Sequence, residues 1–228
     1  MKKITFCFIA LLATFFNGQS QVELGDGNTI QKGVPFEPSV TYSYAQSIYL
    51  SSEILATGNI DALTWYYTGP FALEGSQELT IYLGHSAKTS FSSPSDWVPI
   101  ANLTEVYSGG IYANGPGWVN IQLETPFEYN GTENLVIAVR EASDLSDTWE
   151  ESFYTYEVSE NRSLSLSSWS GVPNLENLES GITESFVPNI IIGGITQTNH
   201  HRHYSLLAIK CRSYRRFRIL YQYRKQRS

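Results

Sequence analysis

The sequence predicts an all-β fold, antiparallel throughout, and three observations predict it. Apolar residues alternate with polar ones at period two in several segments. Clusters of Gly, Pro, Asn and Ser bound those segments. The 3.6-residue periodicity of an amphipathic helix is nearly absent.

Taken in order, the first element is not a strand. Lys2 and Lys3 precede an apolar run from Ile4 to Phe16, and the small residues Gly18 and Ser20 follow. That is the layout of a secretory signal peptide over residues 1–20, cleaved after Ser20, and the run is too short to span a bilayer. Cys7 leaves with it, so Cys211 is the only cysteine of the mature chain and no disulfide joins parts of the body. Residues 21–195 then read as one domain, long enough to be held by core burial alone.

Strand candidates follow at 41–50, 59–68, 77–85, 103–109, 117–127, 134–141, 152–158, 163–169 and 188–194, eight to ten in all, with a short helical turn over 51–58. Three are strongest. Leu79, Ile81 and Leu83 share one face; so do Val119, Ile121 and Leu123, and so do Leu135, Ile137 and Val139. Each is a strand with one face in the core and the other outside. Between strands lie "GPF" at 69–71, "SSPSD" at 92–96, "GPG" at 115–117 and Asn130-Gly131, all of them turn chemistry. So many short strands pack most simply as a single antiparallel two-sheet sandwich of jelly-roll type.

Charge divides the chain. Residues 1–195 carry 22 acids against 6 bases, a balance of -16, whereas residues 196–228 carry 9 bases and no acid, Gly or Pro. This basic tail has two readings. It is a cationic arm, with Tyr214, Phe217, Leu220 and Tyr221 on a helical face among arginines and an attraction to anionic surfaces. Alternatively, it is the product of a shifted reading frame from near Gln197, disordered and outside the sandwich, in which case the protein is a fragment of a longer surface protein.

Two runs carry a resemblance. One is H-x-x-K-x-x-F-x-x-x-x-D-W, here His85, Lys88, Phe91, Asp96 and Trp97; the other is P-F-x-Y-N-G-T-x-N-L, here Pro126 to Leu135. Together with "ELGDGNT" and "YSYAQSIYLSSEI" they make residues 23–195 similar to a jelly-roll β-sandwich module of large secreted Bacteroidetes proteins, found beside fibronectin type III and C-terminal sorting domains. The resemblance implies a non-catalytic surface module. It carries over no catalytic residue.

The residues themselves point the same way. No G-x-S-x-G, P-loop, H-E-x-x-H or C-x-x-C occurs, and His85 is the only histidine of the body. The expectation is that the chain is not an enzyme. The acidic stretch "EASDLSDTWEE" offers Asp144 and Asp147 as hard oxygen ligands for Ca2+, but its spacing is not that of an EF-hand loop, and no cofactor is otherwise expected. Asp26 and Asn28 of "GDGN" are a second, weaker oxygen pair.

Aromatic residues make up 14% of the chain, more than a core of this size needs, so some rings lie outside it. Trp97, Tyr112 and Trp118 lie in or near Gly/Pro/Ser-rich connections and are the candidate ligand-binding residues; Trp65 and Phe127 belong in the core. The function expected is a secreted or cell-surface adhesion module, periplasmic if a sorting domain has been lost. Its alternative is a carbohydrate-binding module that uses those rings. Extracellular polysaccharide or a surface protein is the expected partner, with no nucleic acid and no stable membrane insertion after signal cleavage.

Overall fold

The computed structural model describes residues 20–147, 150 and 152–198. The signal-peptide reading of residues 1–19 and the tail reading beyond Thr198 lie outside them.

Thirteen strands run through the described residues: β1 (Gln21–Leu24), β2 (Thr29–Ile30), β3 (Tyr42–Tyr49), β4 (Ala56–Tyr67), β5 (Leu79–Ser86), β6 (Thr104–Gly109), β7 (Gly117–Tyr129), β8 (Asn134–Glu141), β9 (Tyr154–Glu157), β10 (Ser163–Ser168), β11 (Ile182–Glu184), β12 (Phe186–Pro188) and β13 (Ile190–Gln197). One helical turn, α1 (Ser51–Ile54), sits where the helical pattern of 51–58 starts, and Leu55 ends it in the left-handed region. All nine strand candidates are present. The four additional strands, β1, β2, β11 and β12, are two to four residues long, too short to establish a period.

The strands form a four-stranded sheet in the order β1-β13-β4-β7 and a six-stranded sheet in the order β11-β10-β3-β8-β5-β6. A small third sheet has the order β12-β9-β2. Every pairing is antiparallel. Consecutive long strands switch sheets: β3 lies in the six-stranded sheet, β4 in the four-stranded one, β5 and β6 back in the first, β7 in the second and β8 in the first again.

One main core results, and it is sandwich-like. Leu63, Trp65, Ile121 and Ile192 of the four-stranded sheet pack in one cluster with Leu79, Ile81, Leu135 and Ile137 of the six-stranded sheet. The predicted inward faces of β5, β7 and β8 supply this layer, because alternate side chains of a strand share one face. Trp65 and Phe127 are buried, as expected.

β5 and β8 depart from the one-faced expectation, since both are buried on both faces, with Thr80 and Tyr82 covered on the outer side of β5. Val136 joins Ile48, Phe91, Val98 and Leu164 in a second cluster, and Ala138 joins Tyr44 and Tyr82 in a third. The sequence "LVIAV" is a near-continuous apolar run, which is the pattern of a strand covered on both sides. A strap running from Ala87 to Leu103 provides the cover, with Leu175 and Leu178 beside it.

The strap is fastened by groups its sequence supplies. Phe91, 2% exposed, fills the second cluster, and its N–H donates to the Asn161 carbonyl at 2.7 Å. Lys88 pairs with Asp96, whose other oxygen accepts from the Ser92 N–H and hydroxyl, both at 2.9 Å. Gln46 of β3 reaches Val98 with both ends of its amide: Nε2 donates to the carbonyl and Oε1 accepts from the N–H, each at 2.8 Å. A side-chain amide thus bonds the strap backbone as a neighbouring strand would, which removes the cost of burying those peptide groups unpaired.

Asn130 and Gly131 form the turn between β7 and β8. Gly131 has φ +71°, and Asn130 Oδ1 accepts from the N–H groups of Thr132 and Glu133 at 2.9 and 3.0 Å. Asn134, by contrast, ties that turn outward: its Nδ2 donates to the Lys88 carbonyl and its Oδ1 accepts from the Ser51 N–H. At the other limit of the domain, β13 continues past residue 195, with Thr196 paired to Thr57 and Gln197 to Ala56.

Candidate functional site

β6 is one edge of the six-stranded sheet and β7 one edge of the four-stranded sheet, so the Gly-rich connection from Gly110 to Pro116 crosses from one layer to the other along the side of the sandwich. Its alternation persists. Ile111 is buried and its N–H donates to the Ser76 carbonyl at 2.8 Å, whereas Tyr112 is 64% exposed. Leu73 and Ala113 exchange backbone hydrogen bonds and anchor the middle of the connection. Gly115, at φ +137° before Pro116, makes the final turn, which a residue with a Cβ adopts only with strain.

Two grooves flank Tyr112. The larger, about 510 Å3, is lined by the connection from Tyr112 to Gly117 and by Trp118, Val119 and Asn120 of β7. The smaller, about 360 Å3, shares Tyr112, Val119 and Asn120 and continues along β7 to Gln122, with Tyr107 of β6 on its far side. Both are of the size at which proteins take small molecules or pieces of larger ones.

The geometry of the rings is set by strand register. Trp118, 45% exposed, is paired with Tyr66 of β4, and their rings meet edge to face at 5.3 Å and 85°. Tyr66 in turn stacks on Tyr154 at 5.0 Å and 19°. Further along β7, Asn120 Nδ2 donates to Thr64 Oγ1 at 2.8 Å and Gln122 Nε2 donates to the Asp61 carbonyl at 2.7 Å, which holds both amides in place. Tyr107 donates its hydroxyl to the Gly110 carbonyl at 2.7 Å. Burial, with Glu124 and Tyr112 adding, pushes its phenol above the usual value, so it stays protonated at neutral pH.

Of the three sequence-picked rings, Tyr112 and Trp118 come together at this groove and Trp97 does not. Trp97 is half-buried in the strap, its ring 5.4 Å from that of Tyr44 and its Nε1 donating to the Glu179 carbonyl at 2.9 Å. A Cβ on Gly181 would lie 2.8 Å from the indole, so the glycine admits the ring. Tyr66, Tyr107, Tyr154, Asn120 and Gln122 are the site residues that sequence reasoning missed. The outward alternation of Trp118, Asn120 and Gln122 on β7 was the available signal.

The two acids expected as Ca2+ ligands have different partners. Asp144 is exposed and accepts from the Tyr42 hydroxyl at 2.8 Å. Asp147 accepts from the backbone N–H groups of Glu74 and Gly75, at 3.2 and 2.9 Å, and burial pushes its carboxyl up. No group of three or more His, Cys, Asp or Glu suited to a metal ion occurs among the described residues. His85 lies between Phe127 and Tyr129, at ring distances of 4.9 and 5.8 Å, and its Nε2 accepts from the Asn130 N–H at 3.1 Å.

Searches against protein-family models, curated proteins and solved structures find no match to this chain.

Proposed function

We propose that this chain is a non-catalytic binding module that works outside the cell, built as a jelly roll and docking an external partner in the groove of Tyr112 and Trp118. The observation that carries the reading is the groove itself. Its lining combines the rings of Tyr107, Tyr112 and Trp118 and the amides of Asn114, Asn120 and Gln122 with aliphatic side chains and backbone, and among the described residues it holds no carboxylate, histidine or cysteine. The repeated switching of consecutive strands between two sheets supports the jelly-roll assignment, and the run Lys2 to Ser20 supports export.

The test is an array carrying extracellular polysaccharides and surface proteins, probed with the full chain and with Trp118→Ala. The reading expects saturable binding to at least one class that falls at least about tenfold in the variant, the loss of one well-packed contact. Binding to neither class overturns it. Export is tested by N-terminal sequencing of protein recovered outside the cytoplasm, which is expected to begin at Gln21.

A further inference from the structure

We propose that the ligand of this groove is an uncharged glycan, bound within its chain rather than at an end and running along β7 from Trp118 to Gln122. The inference rests on the binding-module reading above and adds the chemical class of the partner and its direction.

Charge argues for the class. Residues 20–198 hold all 22 Asp and Glu of the chain, against only Lys32, Lys88, Arg140 and Arg162. Yet among the described residues no charged side chain lines either groove. A polyanion would approach an acidic body and find no cation in the groove to meet it, while a polycation would find no carboxylate there and would spread over the acidic surface instead. An uncharged, hydroxyl-rich ligand loses nothing on either count.

The side chains match such a ligand. The C–H face of a sugar ring packs on an aromatic plane, and its hydroxyls both donate and accept. Trp118 supplies a plane whose orientation is fixed by Tyr66 and, behind it, Tyr154. Asn120 and Gln122 supply amides already tethered to Thr64 and to the Asp61 carbonyl. Because these groups are held before the ligand arrives, little rotamer entropy is lost on binding.

Spacing and openness argue for the direction. Trp118, Asn120 and Gln122 fall on one face of one strand, at intervals of two residues or about 6.7 Å. They present ring, amide, amide in a line to a linear polymer. At the Trp118 end, a Cβ built on Gly115 or Gly117 meets no described residue within 4 Å, so the groove is open beside these glycines. The two grooves lie on either side of Tyr112 and share Val119 and Asn120 as well, so they adjoin along β7.

The experiment is native affinity electrophoresis of the full chain in gels containing galactomannan, xyloglucan or mixed-linkage β-glucan as uncharged probes and polygalacturonate as the anionic one. Wild type, Trp118→Ala, Asn120→Ala and Trp169→Ala are run together. Trp169 is 59% exposed and lies outside the groove lining, so it controls for a generally sticky indole. The expected result is retardation by at least one uncharged polysaccharide, weakened at least about tenfold by Trp118→Ala, less by Asn120→Ala and not by Trp169→Ala. An unchanged melting temperature in Trp118→Ala makes the loss one of contact. An oligosaccharide of six sugars is expected to compete whether or not its reducing end is blocked.

Retardation by polygalacturonate alone, abolished by Trp118→Ala, overturns the uncharged class and leaves the binding module standing. So does Trp118-dependent binding to a surface protein with no response to any polysaccharide. Glycan binding lost in Trp169→Ala but kept in Trp118→Ala overturns the groove, and loss of competition on blocking the reducing end overturns within-chain binding. Absence of binding to every probe and every arrayed protein takes the whole functional reading with it.

Discussion

The two sheets finish their outer faces differently. Over the six-stranded sheet, Phe91, Val98 and Trp97 of the strap and Leu175 and Leu178 pack down on Tyr44, Ile48, Tyr82, Val136 and Ala138. On the four-stranded sheet the outer positions around β7 carry the strands' own side chains, with Trp118 against Tyr66, which also stacks on Tyr154 of β9, Asn120 bonded to Thr64 and Gln122 bonded to the Asp61 carbonyl. Two tryptophans in similar Gly/Pro/Ser-rich surroundings therefore have opposite jobs. Trp97 covers a sheet, and Trp118 is presented by one. A ring in a connection says nothing about exposure until it is known which face lies beneath it.

The largest test of this contrast is Phe91→Ala. Removing a buried ring from the strap cluster is expected to cost about 3–5 kcal/mol, read as a shift in the denaturation midpoint with an unchanged slope. A cost below about 1 kcal/mol would show that the strap does not hold the sheet. Trp97→Ala comes next, at about 2 kcal/mol, because only part of its ring is buried and one hydrogen bond is lost with it.

A third substitution probes the rim where the core ends. Glu141 of β8 is 1% exposed; Ser143 donates to one of its oxygens through both its N–H and its hydroxyl. Burial raises its carboxyl above the usual value, more than Ser143 and Ser76 lower it. A folded pKa above the unfolded value of about 4.3 means that its contribution is full below that value and is lost as pH rises through the folded one. The difference in melting temperature between Glu141→Gln and wild type is therefore expected to grow in the variant's favour from pH 4 to pH 8. A difference that is flat with pH would remove Glu141 as the cause. The smallest effect is expected from Trp118→Ala, within about 0.5 kcal/mol of wild-type stability, as for an exposed residue away from the core. A loss as large as that of Trp97→Ala would mean that the two faces are not different in kind.

Much of the fold was legible because it is written in local alternation. Leu79-Ile81-Leu83 and Val119-Ile121-Leu123 declare both a strand and its inward face. β2, with two residues, declares neither, and β11 and β12 owe their strand geometry to the neighbours they pair with. The strap was visible only as turn chemistry. Its sequence shows Pro94 and four serines between Ser90 and Ser95, and nothing local says that Gln46, far upstream, bonds Val98 on both sides of its peptide. The site divides the same way. Trp118 and Tyr112 stand out as rings beside glycines, but Tyr66 and Tyr154 join them through cross-strand register, which one strand's sequence does not contain.

One pairing has a bearing on biosynthesis. β13, the last strand, lies between β1, the first, and β4, with Gln21 opposite Gly193 and Trp65 opposite Ile190. Until Ile190 to Gln197 have left the ribosome, the four-stranded layer lacks its middle, and β1 has no partner at all. Contacts between strands so far apart in sequence are slow to form and come late. The described sandwich is therefore left unfinished until β13 is made, and the segment from Gln21 to Gln197 closes as one unit rather than strand by strand.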